Sequence, residues 1–166
     1  FSLCRASDSA RAPKFRKVCD FYNAKSIITD LDDESDEPIP AKDIKKIILS
    51  NIKERKFDYI FTHGKNGEYG HIRHKEIYQA VCDLVKEKSL KCEKLLLFDY
   101  IEGKEKSLHD DNLVIPVPNP KANWIVKLSE NEFNEKIKII TDIYGFIPPI
   151  FETMACAGEE SFTLRK

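Results

Sequence analysis

Cys-x-x-Cys pairs, Gly-x-Gly-x-x-Gly and Walker strings, long apolar runs and any excess of charge are all missing from this 166-residue sequence. Each absence removes a class of function. Five cysteines, Cys4, Cys19, Cys82, Cys92 and Cys156, include no Cys-x-x-Cys spacing, which excludes a zinc-finger framework. Their odd number in a chain of this size argues against a disulfide scaffold, so reduced thiols and a cytoplasmic setting are expected. No apolar run approaches the roughly 20 residues of a membrane span, and the first residues do not read as a signal peptide. The 27 basic and 28 acidic residues leave a net charge of −1, which gives no electrostatic case for nucleic acid or a membrane surface. Without a glycine-rich phosphate loop, a nucleotide-binding module has no support.

What is present reads as one α/β domain over 1–166, with 42% hydrophobic and 33% charged residues. Apolar stretches alternate with helical periodicity. Strands are predicted at 1–4, 24–31, 57–63 and 94–100, and an extended, proline-limited segment at 112–119. Helices are predicted at 13–23, 41–55, 71–87 and 129–143, the second with Ile44, Ile47, Ile48 and Ile52 on one face. Strand–helix alternation predicts a Rossmann-like three-layer sandwich with a mostly parallel sheet. In such sheets ligands bind beyond the carboxyl ends of the strands, which points to loops 5–12, 30–40 and 62–71. Those loops carry Arg5, Asp8 and Arg11, then Asp30, Asp32, Asp33 and Glu34, then His63, Glu68 and His71.

Three of the four histidines, His63, His71 and His74, fall in "FTHGKNGEYGHIRH". His71 and His74 are spaced i, i+3, so on a helix they share a face one turn apart. Two imidazoles so placed can both ligate a metal, or one can ligate while the other acts on a substrate. A structural role for each histidine stays open on spacing alone. Glu76, two residues past His74, is expected to point elsewhere. Nothing else in 61–81 completes the three protein ligands of a catalytic zinc. The acidic string "DLDDE" at 30–34 is expected to cap a strand and solvate a loop. His109 in "SLHDDN" is expected to be solvent-exposed, and Trp124 to be a core or edge aromatic.

Preceded by "FDYI", this string resembles the LmbE-like, or PIG-L, family of zinc-dependent N-acetylglucosaminyl deacetylases, in which a strand ending near Thr-His leads to a His-x-x-His motif. "SLCRASDSARAPKF" and "TDIYGF" extend the resemblance over most of the chain. It implies zinc held by His74, with His71 as the catalytic partner that polarises or protonates the reacting centre. It also implies an N-acetylated sugar or glycoconjugate as substrate, with Arg11 near it; Asp30 and Asp32 are expected to line the pocket. The family's His-Pro-Asp-Asp-Glu string, which supplies two further ligands and the base, does not occur here. Phe1 matches the family's second strand, so an N-terminal truncation is expected, with zinc weak or absent in these residues alone. An exposed flank on strand 1–4 would favour a homo-oligomer. The alternative is a catalytically inactive member that binds a sugar or a protein.

Overall fold

The computed structural model describes residues 1–110 and 112–165. Apolar spacing makes the two long helices that carry the core. In α2 (Ala41–Asn51), Ile44 and Ile48 lie four residues apart and are fully buried, and Pro40 sets the entry of the chain. In α4 (Ile72–Lys86), Ile77, Tyr78, Ala80, Val81 and Leu84 form a broad buried stripe. The helices pack on each other and, with Leu95 and Leu97 and with Leu3 and Leu31, build one hydrophobic core. Each such aliphatic side chain contributes about 1.5–3 kcal/mol by leaving water.

Around this core, α1 (Arg11–Phe21) and α2 precede β1 (Lys56–Thr62), a kinked turn α3 (Gly67–Gly70) and α4. There follow β2 (Lys91–Phe98), β3 (Tyr100–Lys106), β4 (Val114–Pro118), β5 (Trp124–Lys127), α5 (Glu130–Lys138), α6 (Phe151–Met154) and β6 (Glu159–Arg165). β1 and β2 are parallel, from Lys56 opposite Lys91 to Thr62 opposite Leu97, and α4 makes the crossover between them. β6 then pairs antiparallel with both β2 and β5, giving the order β1-β2-β6-β5. β3 and β4 form a separate antiparallel ribbon.

The chain is therefore mixed α/β with a mixed sheet, and the expectation of a mostly parallel sheet is corrected: of its three strand pairings only β1–β2 is parallel. Segments 1–4 and 24–31 do not join this sheet as strands. They touch through a single parallel bridge, Ser2 to Ile28, supported by Leu31 N–H donating to Leu3 O at 2.8 Å. The remaining elements lie close to their predicted ranges. The last helix keeps its length, but after α5 it widens into a π-helical turn, Ile139–Ile143. A capping box starts α5: the Ser129 hydroxyl accepts from the Glu132 N–H, and the Ser129 N–H donates to Glu132 Oε2 at 2.7 Å. All five cysteines are free and partly buried. No helix among the described residues is long and apolar enough to cross a membrane.

Candidate metal centre

β1 ends at Thr62, and the chain must turn at once to enter α4. It does so through Gly64, Gly67 and Glu68, and this turn creates the site. Gly67 has φ +68°, and Glu68 follows at φ +57°, a left-handed conformation that costs a non-glycine residue of order 1 kcal/mol or more. Gly64 allows the turn to press against β2: a Cβ there would lie 2.2 Å from the carbonyl oxygen of Phe98. Substituting Gly64 by alanine is expected to cost about 1–3 kcal/mol or more, because backbone rather than a flexible side chain has to yield. A thermal melt of the variant checks this; an unchanged melting temperature would contradict it.

The strained turn folds Glu68 back between two histidines. Its Oε2 accepts from His74 Nδ1 at 2.5 Å and His63 Nδ1 at 3.0 Å, while Oε1 accepts from the Gly64 N–H at 2.6 Å. The His63 and His74 rings stack, with centroids 3.8 Å apart and planes 17° from parallel. Ligand atoms of His63, Glu68 and His74 all lie within 4.8 Å of one another, so this group could hold a metal ion. Two imidazoles and a carboxylate suit a borderline cation such as zinc and leave further coordination positions open.

The electrostatics keep Glu68 and His74 in ligating form. Burial pushes the Glu68 carboxyl up, but the hydrogen bonds from His63, His74 and Gly64 outweigh it and hold it at about 2. His74 is depressed chiefly by burial, which exceeds the upward pull of Glu68. A neutral His74 that donates through Nδ1 keeps its lone pair on Nε2, the arrangement in which a carboxylate orients a metal-binding histidine. His71 is lowered as well, by burial and by His74, against the field of Asp33.

His71 stands beside the cluster, 4.8 Å from His74 between ring centroids. Its Nδ1 is the buried side-chain polar atom without a hydrogen-bond partner among the described residues. Tyr69 packs edge-on against both rings, at 5.8 Å from His71 and 5.3 Å from His74, and against Phe151 at 4.9 Å. His71 and His74 thus share a face as their spacing predicts. His63 and Glu68 join His74 in a group that spacing alone did not assemble. The signal was the run of glycines between them, which permits the positive φ that brings Glu68 round.

The other predicted residues sit elsewhere. Asp30 accepts from the Ser7 N–H at 2.7 Å. Asp32 accepts from the N–H groups of Glu34 and Ser35 at 3.0 and 3.2 Å, so both carboxylates tie loop backbone. Asp33 pairs with Arg5 at 2.9 Å, joining loops 5–12 and 30–40. Arg11 opens α1, with its guanidinium 5.8 Å from the centre of the Phe146 ring. It makes no hydrogen bond to the histidine cluster among the described residues. His109 is exposed and lies 3.1 Å from Pro149 O, and Trp124 packs against Tyr59 at the sheet edge.

Sequence reasoning missed Arg73 and Glu76. Arg73 is 1% exposed and fastens the acidic loop to α4. Its guanidinium donates to the carbonyls of Asp32 (2.5 Å), Ser35 (2.7 Å) and Glu37 (2.8 Å) and pairs with Glu76 at 2.7 Å. Glu76 accepts in turn from the Ile39 N–H at 2.8 Å. Comparison with protein-family models, with curated proteins and with solved structures returned no match to this chain.

Proposed function

We propose that this protein is a zinc-dependent amide hydrolase that deacetylates an N-acetylated sugar or glycoconjugate, in the manner of the LmbE-like, or PIG-L, enzymes. One observation carries the reading: His63, Glu68 and His74 converge within 4.8 Å, beside His71, at the carboxyl end of a parallel strand. Zinc in such a set supplies a water acidic enough to attack an amide near neutral pH. His63 and His74 would hold it, and Glu68 would orient both imidazoles and fix their tautomer through the Nδ1 hydrogen bonds. His71, buried on Nδ1, moves the proton: it takes one from the attacking water and returns it to the departing amine nitrogen. Water adds to the acyl carbon, the C–N bond breaks, and acetate and an amino sugar leave.

A second reading, a sugar- or protein-binding module without turnover, is favoured by one observation. Both oxygens of Glu68 are already engaged, and no free carboxylate stands in the cluster as a base. Zinc titration followed by an acetate-release assay on N-acetylglucosamine conjugates separates the two. The hydrolase reading expects one zinc per chain and release that stops on chelation. Zinc without release leaves the binding module, and a chain that takes no zinc refutes the metal centre.

A further inference from the structure

Beside the histidine turn lies an open cleft of about 700 Å³ that the metal centre does not use. Its volume is in the range of small-molecule sites, roughly 300–1,000 Å³. It sits at the carboxyl end of β2, and Gly64, Lys65 and Asn66 of the histidine turn form one wall. Tyr78, Phe98 and Tyr100 are its aromatic residues, and the Phe98 ring lies 6.3 Å from that of His63, so metal centre and cleft are neighbours.

The charge in this cleft is lopsided, in a protein whose net charge is −1. Lys65, Lys75 and Arg165 line it against one carboxylate, Asp99. Asp99 is occupied: it accepts from Asn119 Nδ2 at 2.9 Å and from the Thr163 hydroxyl at 2.7 Å. Among the described residues Lys65 and Lys75, both exposed, have neither ion-pair nor hydrogen-bond partner, so their ammonium groups are free to meet an anion. Arg165 is already oriented, donating to the Tyr78 hydroxyl at 2.9 Å with its guanidinium 5.6 Å from the Tyr78 ring centre. Lys75 lies against the turn, its Cγ 3.0 Å from where a Cβ on Gly67 would stand. Two unpartnered ammonium groups and a pre-set guanidinium around an aromatic wall are the parts of an anion site.

We propose that this cleft binds an anionic group, phosphate or carboxylate, carried by the ligand. That the group belongs to the substrate of the neighbouring centre rests on the hydrolase reading; anion binding itself does not. Calorimetric titration of the metal-free protein with inorganic pyrophosphate, and separately with succinate, tests it. Saturable 1:1 binding of either is expected, and the anion that binds names the chemistry. Lys65→Met and Lys75→Met, at exposed positions that leave the core intact, are each expected to weaken binding about tenfold. Zinc affinity is expected to stay unchanged in both. Absence of binding by either anion, or wild-type affinity in the double variant, overturns the proposal. A failure of zinc binding or acetate release with the anion still bound overturns the hydrolase reading alone.

Discussion

Arg73→Met is expected to destabilise the protein by about 3–5 kcal/mol, the cost of breaking a buried charge pair from one side. Methionine keeps most of the buried hydrocarbon volume, so the loss comes from the polar partners left behind. The carbonyls of Asp32, Ser35 and Glu37 lose their donor, and Glu76, 14% exposed, keeps a charge with no counter-ion. Each buried group stranded in this way costs about 1–3 kcal/mol. Lysine at this position is expected to recover only part of the loss, because one ammonium cannot reproduce a planar fork that serves three carbonyls and a carboxylate. Removing Glu76 in the same chain is expected to lose less than the sum of the single variants, since no lone charge is then buried. Urea unfolding of the three variants reads this as a lower midpoint at constant slope. A wild-type midpoint for Arg73→Met contradicts the assignment.

The same residue marks where sequence reasoning stopped. Periodicity located α2 and α4 because apolar side chains there repeat with the period of the helix that buries them. It also put His71 and His74 on one face. Helical spacing says which face a residue occupies, but not what an earlier loop brings to that face. Arg73 therefore carried no assignment, and Glu76 read as a residue that pointed elsewhere. They do point away from the metal donors, and there they meet backbone from 32 to 39.

β6 escaped notice for a related reason. Its "EESFTLR" places only Ser161 and Phe162 in full burial, too short an apolar signal to stand out. That strand nonetheless turns an expected parallel sheet into a mixed one, by pairing antiparallel with β2 and β5. The acidic run at 30–34 is a loop as expected, and its aspartates accept from backbone N–H groups and pair with Arg5. A carboxylate on a loop satisfies the nearest unpaired backbone donors first, and composition does not reveal that.

His74→Ala is expected to abolish zinc binding, and Glu68→Gln to weaken it about 10–100-fold, the usual cost of losing a carboxylate that orients metal-binding histidines. Glutamine has the size of glutamate and one carbonyl oxygen, so it can still accept one imidazole N–H. It lacks the charge that lets a single oxygen hold two. His63 and His74 are then expected to lose their common Nδ1–H tautomer, which nitrogen chemical shifts of the two rings report without any metal present. Glu68→Asp keeps the charge and is expected to restore part of the affinity. His71→Ala is expected to bind zinc as the wild type does while losing acetate release, because its ring lies beside the donor set and outside it. Acid unfolding gives an independent reading. The folded-state pKa of Glu68 is depressed to about 2, so its stabilising contribution is complete above the ordinary glutamate range and is lost as pH falls toward 2. Glu68→Gln is expected to flatten the stability profile across that window. A variant that keeps wild-type zinc affinity, tautomer signals and acid profile would remove Glu68 from the centre. A strained, left-handed Glu68 would then have no counterpart in binding to offset its cost.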